Sequence, residues 1–539
     1  MFENMGPEKR ATVKNSVGRL AFAGLCILFQ ISWLLLLAFR LNAYSAWISL
    51  ATNIAAFALA FHIYGKYTNA AFKMPWIIVL LVFPMLGLCL YGLFGHVGLL
   101  GKKKQLQFKQ LDQELFALNP QKEDVMKRLE SEDYAIANQC RYITNYGGYP
   151  VFDNTEVEFY PDAAQGFEAQ IAAIEKAEKF VFMEYHAIEE AHAFDRLKAV
   201  LARKAAMGVE VRFFYDDVGS GVFIDRSFIK RMEDIGVQCR VFNPVSPVFN
   251  LFMNNRDHRK ITVVDGKVGF TGGYNLADEY FNITHPYGHW KDTGVKLTGE
   301  AVKNLTVIFL EMWNAMKKTD TDYQKYLEAG YCSDEEAESA AQTAGVPCGC
   351  GEENAPGMGF VQPYGDSPLD GEPVGENVYL NMIKYAKRRL YVATPYLIIS
   401  DEMNRELGLA AKRGVDVRVI TPGIPDKKTI YKVTRSYYAG LVRQGVRVYE
   451  YTPGFLHEKQ VLCDESCAAV GTINFDYRSL YHHFENGVFL YKCSAIGDIA
   501  RDFEDTLEKC SDVTEYYRSG RSAVLRGTQK LLKLFAPLL

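Results

Sequence analysis

Hydrophobic and polar positions fall into two regimes along the chain. Over the first hundred residues, apolar side chains run almost unbroken through 18–41, 42–65 and 75–100. Each run is about long enough to cross the ~30 Å hydrocarbon layer as a helix. A cleaved leader would supply one such run and a small-residue cleavage site, and no such site stands out. Residues 1–101 are therefore expected to form a membrane anchor of two or three hydrophobic helices. Lys9, Arg10 and Lys14 precede the first run, Arg19 stands at its start, and Lys102, Lys103 and Lys104 follow the third. Both groups favour the cytoplasmic side. Both ends inside requires an even number of crossings, against three runs. Either one run is re-entrant or interfacial, the third with Pro84, Gly87 and Gly92 being the candidate, or the N-terminal charges are overridden. The expected location is the cell membrane, multi-pass, with the rest of the chain facing the cytoplasm.

Past residue 150 the spacing changes to short apolar strands alternating with helical patterns, and the order repeats. Phe180-Val-Phe-Met-Glu-Tyr-His-Ala-Ile188 and Leu390-Tyr-Val-Ala-Thr-Pro-Tyr-Leu-Ile398 read as buried strands. Helix-like runs precede them, at 167–179 and 378–389. A second helix follows each, then the strands Gly208-Val-Glu-Val-Arg212 and Gly414-Val-Asp-Val-Arg418, then a further strand at 236–244 and 445–453. Such alternation predicts an α/β fold of two repeated α-β-α halves with parallel sheet under helices. The expected organisation is the anchor at 1–101, a basic and partly helical connector at 102–150, halves at 151–330 and 361–539, and a linker at 331–360.

The repeat carries a polar constellation. His258-Arg-Lys260 is followed by Asp265, and His457-Glu-Lys459 by Asp464, so both fit H-x-K-x4-D. In both, six residues separate the Asp from G-x-x-N, at Gly272–Asn275 and Gly471–Asn474. One such match is weak; two, in the same strand order, are not chance. The net charge of -4 argues against a general nucleic-acid binder. Eleven scattered cysteines indicate reduced thiols rather than a disulfide scaffold. Cys332, Cys348 and Cys350 cluster, but no fourth ligand stands at a standard zinc spacing. No metal or other cofactor is expected.

The paired motifs resemble the phospholipase D superfamily, in which two halves each supply one His-Lys-Asp motif to a single active site. The surrounding residues are closer to bacterial cardiolipin synthases: Asn255-Arg-Asp-His-Arg-Lys-Ile261, Gly272-Gly-Tyr-Asn-Leu-Ala-Asp-Glu-Tyr280, Thr394-Pro-Tyr396, Gly454-Phe-Leu-His-Glu-Lys459, Pro537-Leu-Leu539 and the segment 75–95 before the basic run. The resemblance covers almost the whole chain and weakens over 332–358. It implies a catalytic set of His258, Lys260, Asp265, His457, Lys459 and Asp464.

These residue types suit phosphodiester exchange. A neutral imidazole can attack phosphorus, and a protonated one can deliver a proton to the leaving oxygen. A pair can split one displacement into two through a phosphohistidine. Lys260 and Lys459 would neutralise charge on the phosphoryl oxygens, and Asn275 and Asn474 would add phosphate-binding donors. The family implies His258 as nucleophile and His457 as acid/base; from the residues alone the two are exchangeable. Asp292 and Glu485 match the family's acidic residues that orient the histidines, the bland alternative being ordinary strand-end carboxylates. Asp265 and Asp464, each beside a turn-like stretch, are expected to organise the turn rather than touch phosphate.

Glu184 and His186 end a core strand, where an open α/β sheet places ligands; pocket and structural roles are both open. His482 and His483 read as a local packing or hydrogen-bond pair, and His285 and His289 receive no metal. About ten extra residues, including Phe249, Leu251, Phe252 and Met253, precede the first motif as an apolar loop. That loop either meets lipid or packs on its own half. The tail, 525–539, is either a surface-seeking segment or a last helix. The implied reaction joins two phosphatidylglycerol molecules into cardiolipin and glycerol at the lipid bilayer, without nucleic acid and in one chain. The alternatives are a membrane-bound phospholipase D acting on other head groups or with water, a nuclease, and a non-catalytic membrane scaffold.

Overall fold

The structure, a computed structural model, describes residues 46–66, 68–94, 99–225, 227–244, 255–328 and 358–519, with a few isolated positions between 24 and 36. Most of the first apolar run, the apolar loop before the first motif, the Cys332, Cys348 and Cys350 cluster and the C-terminal tail lie outside the described residues.

In the anchor, α1 (Ala46–Tyr64) is the one described helix long and apolar enough to cross a membrane. The third run is not one helix. It divides into α2 (Ala70–Val82) and α3 (Pro84–Phe94) at Phe83, because Pro84 has no N–H to continue the ladder. At 13 and 11 residues, each piece is only about 15–20 Å long, short of a full crossing. The pieces fold back tightly: a Cβ on Gly87 would lie 2.7 Å from Leu80 Cα. Ala56, Ala60, Ile63, Leu80 and Tyr91 make a small core between the three helices.

The connector is more than a tether. In α4 (Leu99–Phe116), Phe108, Leu111 and Leu115 join the main core, and Phe108 stacks on Phe484 with ring centroids 5.2 Å apart.

The first half contains β1 (Thr155–Tyr160), β2 (Phe180–Tyr185), β3 (Glu210–Asp216), β4 (Gln238–Phe242), β5 (Arg256–Asp257), β6 (Lys260–Val264), β7 (Val268–Gly272), β8 (His289–Lys291) and β9 (Gly294–Gly299). The second contains β10 (Phe360–Asp366), β11 (Arg389–Ala393), β12 (Leu397–Ile398), β13 (Asp416–Pro422), β14 (Arg447–Tyr451), β15 (Gly454–Leu456), β16 (Gln460–Cys463), β17 (Cys467–Gly471), β18 (Phe475–Asp476), β19 (His483–Tyr491) and β20 (Cys510–Asp512). The first sheet runs β1-β9-β7-β6-β2-β3-β4 and the second β10-β19-β17-β16-β11-β13-β14, with β20 added at its edge. The two orders correspond position by position. In each, three strands are parallel, as helical crossovers require, and the motif strand β6 or β16 pairs antiparallel to the first of them.

The halves are also joined by backbone. β5 pairs parallel with β19, matching Arg256 to His483 and Asp257 to Phe484. β15 pairs parallel with β8, matching Phe455 to Trp290 and Leu456 to Lys291. Each short strand leading to a motif histidine is therefore hydrogen-bonded to the opposite half.

Candidate active site

Those two ladders build the site. Extending each register by one residue sets His258 beside Glu485 and His457 beside Asp292. His258 N–H donates to Phe484 O at 2.9 Å and His457 N–H to Lys291 O at 2.7 Å. The side chains follow. His258 Nδ1 lies 2.9 Å from both Glu485 oxygens, and His457 Nδ1 lies 2.7 Å from Asp292 Oδ2. The sequence suggested carboxylates behind the histidines; the structure shows that each comes from the other half. A carboxylate only accepts, so the imidazole hydrogen sits on Nδ1 and Nε2 keeps its lone pair. Lys459 Nζ also lies 2.8 Å from His457 Nδ1, but as a donor it is satisfied on the His457 carbonyl.

Both histidines, Asn275 and Asn474 line one cavity of about 600 Å3. Asn275 Oδ1 accepts from Ala187 N–H at 3.1 Å and its Nδ2 donates to Tyr280 Oη at 2.8 Å. Asn474 Oδ1 is buried with no hydrogen-bond partner among the described residues. Lys260 and Lys459 stand just behind the wall. Side chains two apart on a strand share a face, and each ammonium donates to the carbonyl of its own histidine, Lys260 at 2.5 Å.

Burial drives both histidine pKa values well below the usual imidazole range, and the lysine charges nearby push the same way. Burial also lowers Lys260 to about 7 and Lys459 to about 8, and raises Asp292 to about 6. The site thus favours neutral imidazoles, each between a carboxylate and a lysine whose charge burial weakens.

Asp265 and Asp464 do not join the site, which corrects their place in the catalytic set. They stand at the far ends of β6 and β16, roughly 15 Å along the strand from the lysines. Each sits at a left-handed φ of 54°, a conformation Asp tolerates. Asp265 accepts the N–H groups of Glu178, Lys179 and Phe180 at 2.7–2.8 Å. Asp464 does the same for Lys387, Arg388 and Arg389. They are clamps on the start of the first parallel strand.

The structure separates the roles that the sequence left open for Glu184, His186, His482 and His483. His186 packs edge-on to His258, centroids 4.9 Å apart, and its Nδ1 meets Asp257 O at 2.6 Å, which fixes it on the wall. Glu184 is fully buried, 3.9 Å from Arg259, and does not reach the cavity. His483 lies 5.5 Å ring to ring from His258, and its Nδ1 is 3.6 Å from Glu485. His482 instead packs on Phe72 of the anchor. His258, His483 and Glu485 bring ligand atoms within 4.8 Å of one another, but Lys260 and Lys459 disfavour a cation there. Lys427 and Arg256 are wall cations, and Tyr280, Trp290 and Phe455 pack around His457.

Gly273 permits the closest approach: a Cβ there would run into Asp292 Oδ1. The second half has Thr472 at the equivalent position, whose hydroxyl donates to Glu485 Oε2 at 2.5 Å.

Comparisons with known proteins give the family. A family model described as cardiolipin synthase, PLD-like domain, matches residues 170–313 and 379–507. One described as Phospholipase_D-nuclease N-terminal matches residues 54–96. Cardiolipin synthase 2 of Bacillus cereus is 32% identical over 489 residues, covering 90% of each chain. A cardiolipin synthase of Alkalihalophilus pseudofirmus is 31% identical over 470 residues, 86% of this chain and 88% of that one. In fold, the chain resembles phosphatidylserine synthase of Haemophilus influenzae with a TM-score of 0.54 at 14% identity, over 74% of this chain and 97% of the other. The chain belongs to the bacterial cardiolipin synthase family of the phospholipase D superfamily and is a phosphatidyltransferase.

Proposed function

We propose that the chain makes cardiolipin and glycerol from two phosphatidylglycerol molecules through a phosphatidyl-histidine. The observation that carries this reading is the pair of histidines on one cavity, each oriented by the other half's carboxylate. The donor's phosphorus sits between them. His258 Nε2 forms a bond to phosphorus, the bond to the glycerol oxygen breaks, and His457 supplies the proton that oxygen takes up. A hydroxyl of the second phosphatidylglycerol then gives its proton to His457 and attacks phosphorus, and the bond to His258 breaks. The phosphoryl charge is met by Lys260 and Lys459 from behind, by Lys427 at the wall and by Asn275 and Asn474. Because His457 is neutral in the empty site, the phosphodiester's negative charge is what draws its proton in. One phosphodiester replaces another, so excluding water from the intermediate decides synthesis over hydrolysis.

The membrane-facing apolar helix α1 keeps the site near its lipids, with the catalytic halves on the cytoplasmic side and α2–α3 as a re-entrant hairpin. Products formed in phosphatidylglycerol vesicles by the purified chain test this reading. Cardiolipin and glycerol in equal amounts support it; phosphatidic acid in place of cardiolipin makes water the acceptor and overturns it.

A further inference from the structure

A second cavity, about 750 Å3, lies between the anchor and the second half, and the chemistry above does not use it. Its size falls in the range of small-molecule sites. On the anchor side, the turn between α1 and α2 contributes Lys66, and the first turn of α2 contributes Lys73. Lys66 Nζ donates to Tyr91 Oη at 2.9 Å, and Lys73 Nζ to Tyr64 O at 3.3 Å and to Lys66 O. All three acceptors are neutral: among the described residues, neither ammonium is paired with a carboxylate. Two cations thus stand together just past the end of an apolar helix, the position from which lysines reach lipid head groups when such a helix spans a bilayer.

The body side is different. Asp366, Glu372, Glu376 and Glu402 line it, and the first three already accept hydrogen bonds. Asp366 takes the N–H groups of Val374 and Gly375, Glu372 the hydroxyl of Tyr142, and Glu376 the hydroxyls of Ser400 and Tyr481. The inner end is His483, which lines this cavity and the catalytic one alike. Its Nε2 is buried without a hydrogen-bond partner among the described residues, while its Nδ1 has the Glu485 carboxylate 3.6 Å away, and an unmet buried nitrogen costs stability unless a ligand supplies the bond. The join is fixed in place: Phe72 packs edge-on to Tyr477, Tyr481 and His482, and Asn69 Nδ2 donates to Tyr481 Oη at 2.9 Å. Outside the cavity, Met74, Ile78, Leu81, Val82 and Phe83 of the hairpin are exposed apolar surface, suited to acyl chains.

We infer that this cavity is the portal through which an anionic phospholipid with a hydroxylated head group passes from the bilayer to the catalytic cavity. Its phosphate rests on Lys66 and Lys73, its hydroxyls face the carboxylate wall, and His483 is the shared gatepost. The identity of the occupant rests on the proposed reaction; the site itself rests on the cavity.

The test is carried out on the full chain. Spin-labelled phosphatidylglycerol in phosphatidylcholine nanodiscs is added to the His258→Ala protein, which does not turn lipid over. A motionally restricted spectral component is expected, and Lys66→Gln/Lys73→Gln should remove at least four-fifths of it while Lys66→Arg/Lys73→Arg retains it. In the otherwise unmodified enzyme, the ratio of KM for long-chain to KM for water-soluble dibutanoyl phosphatidylglycerol should rise at least fivefold in the Gln pair. A restricted component that survives the Gln pair, or a KM ratio that does not move, overturns the portal. If the enzyme yields no cardiolipin but the restricted component still depends on the lysines, the portal stands and the proposed reaction falls.

Discussion

His258 and Glu485 are 227 residues apart in sequence, and His258 Nδ1 stands 2.9 Å from both carboxylate oxygens. The contact is a consequence of backbone pairing: β5 runs beside β19, and these two residues are the next pair in that register. His457 and Asp292 repeat it across β15 and β8. The exchange of carboxylates makes the two halves chemically inseparable, since neither motif is complete on its own half.

Removing the charge while keeping the shape should therefore disable the chemistry without unfolding the protein. Glu485→Gln and Asp292→Asn each present an amide that can hold the wrong imidazole tautomer. The expected loss in kcat is roughly 10²–10⁴-fold, by analogy with carboxylate-to-amide changes behind a catalytic histidine. KM should change less than threefold. Steady-state kinetics with circular dichroism on the same samples distinguishes this from misfolding.

Gly273 supports the same relationship from the backbone. Gly273→Ala places a methyl group against Asp292 Oδ1 and must push that carboxylate away from His457. A fall in kcat on the order of 10²-fold is expected, as for other small misplacements of a catalytic group. Wild-type kcat in this variant would show that Asp292 has room to move and that its position is not critical.

Asp265 and Asp464 should behave in the opposite way. Each carboxylate accepts three N–H groups at the start of a core strand, far from the cavity. Asp265→Ala should lower stability by about 1–2 kcal/mol, because the donors of Glu178 and Lys179 are exposed to water and only that of Phe180 is shielded. Thermal melts of the detergent-solubilised protein measure the loss. Asp265→Asn, which tolerates the left-handed backbone, should lose less.

The pH profile follows from the lysines. Burial sets Lys260 near 7 and Lys459 near 8, so each carries its charge below that pH and loses it above. kcat/KM reports groups of the free enzyme and should fall as pH rises through 7 to 8. On the acid side, both imidazoles stay neutral well below their usual range. The limb there should follow Asp292 as it protonates near 6. A profile flat from pH 6.5 to 9 would remove the lysines from the charge balance.

Much of this site was legible in the sequence because the repeat is local. The strands at 180–188 and 390–398, the two H-x-K-x4-D segments and the downstream Asn275 and Asn474 all lie within continuous stretches whose spacing can be read directly. Asp292 and Glu485 were visible as acidic residues, but not their exchange, which depends on pairing between residues some two hundred positions apart. By sequence, His483 and His482 read as a local pair. The two instead face different neighbours, His258 and the anchor's Phe72, because adjacent side chains at the start of a strand point to opposite faces. Lys427, on a loop and with no partner motif in the first half, had no signal at all. The third apolar run was long enough for a crossing by composition; its division at Phe83 was signalled by Pro84, but the folding-back depends on Gly87 meeting Leu80.

The division of labour between the histidines is open to one direct measurement. A phosphatidyl donor with p-nitrophenol as head group needs no proton for departure, so the first step depends on the nucleophile and not on the acid. His457→Ala should then release a burst of one p-nitrophenol per chain, and alkaline quenching with mass spectrometry should find the phosphatidyl group on the peptide holding His258. His258→Ala should give neither burst nor adduct. A burst from His258→Ala with the adduct at His457 would reverse the two roles, and cardiolipin formation without an adduct on either histidine would contradict the covalent route.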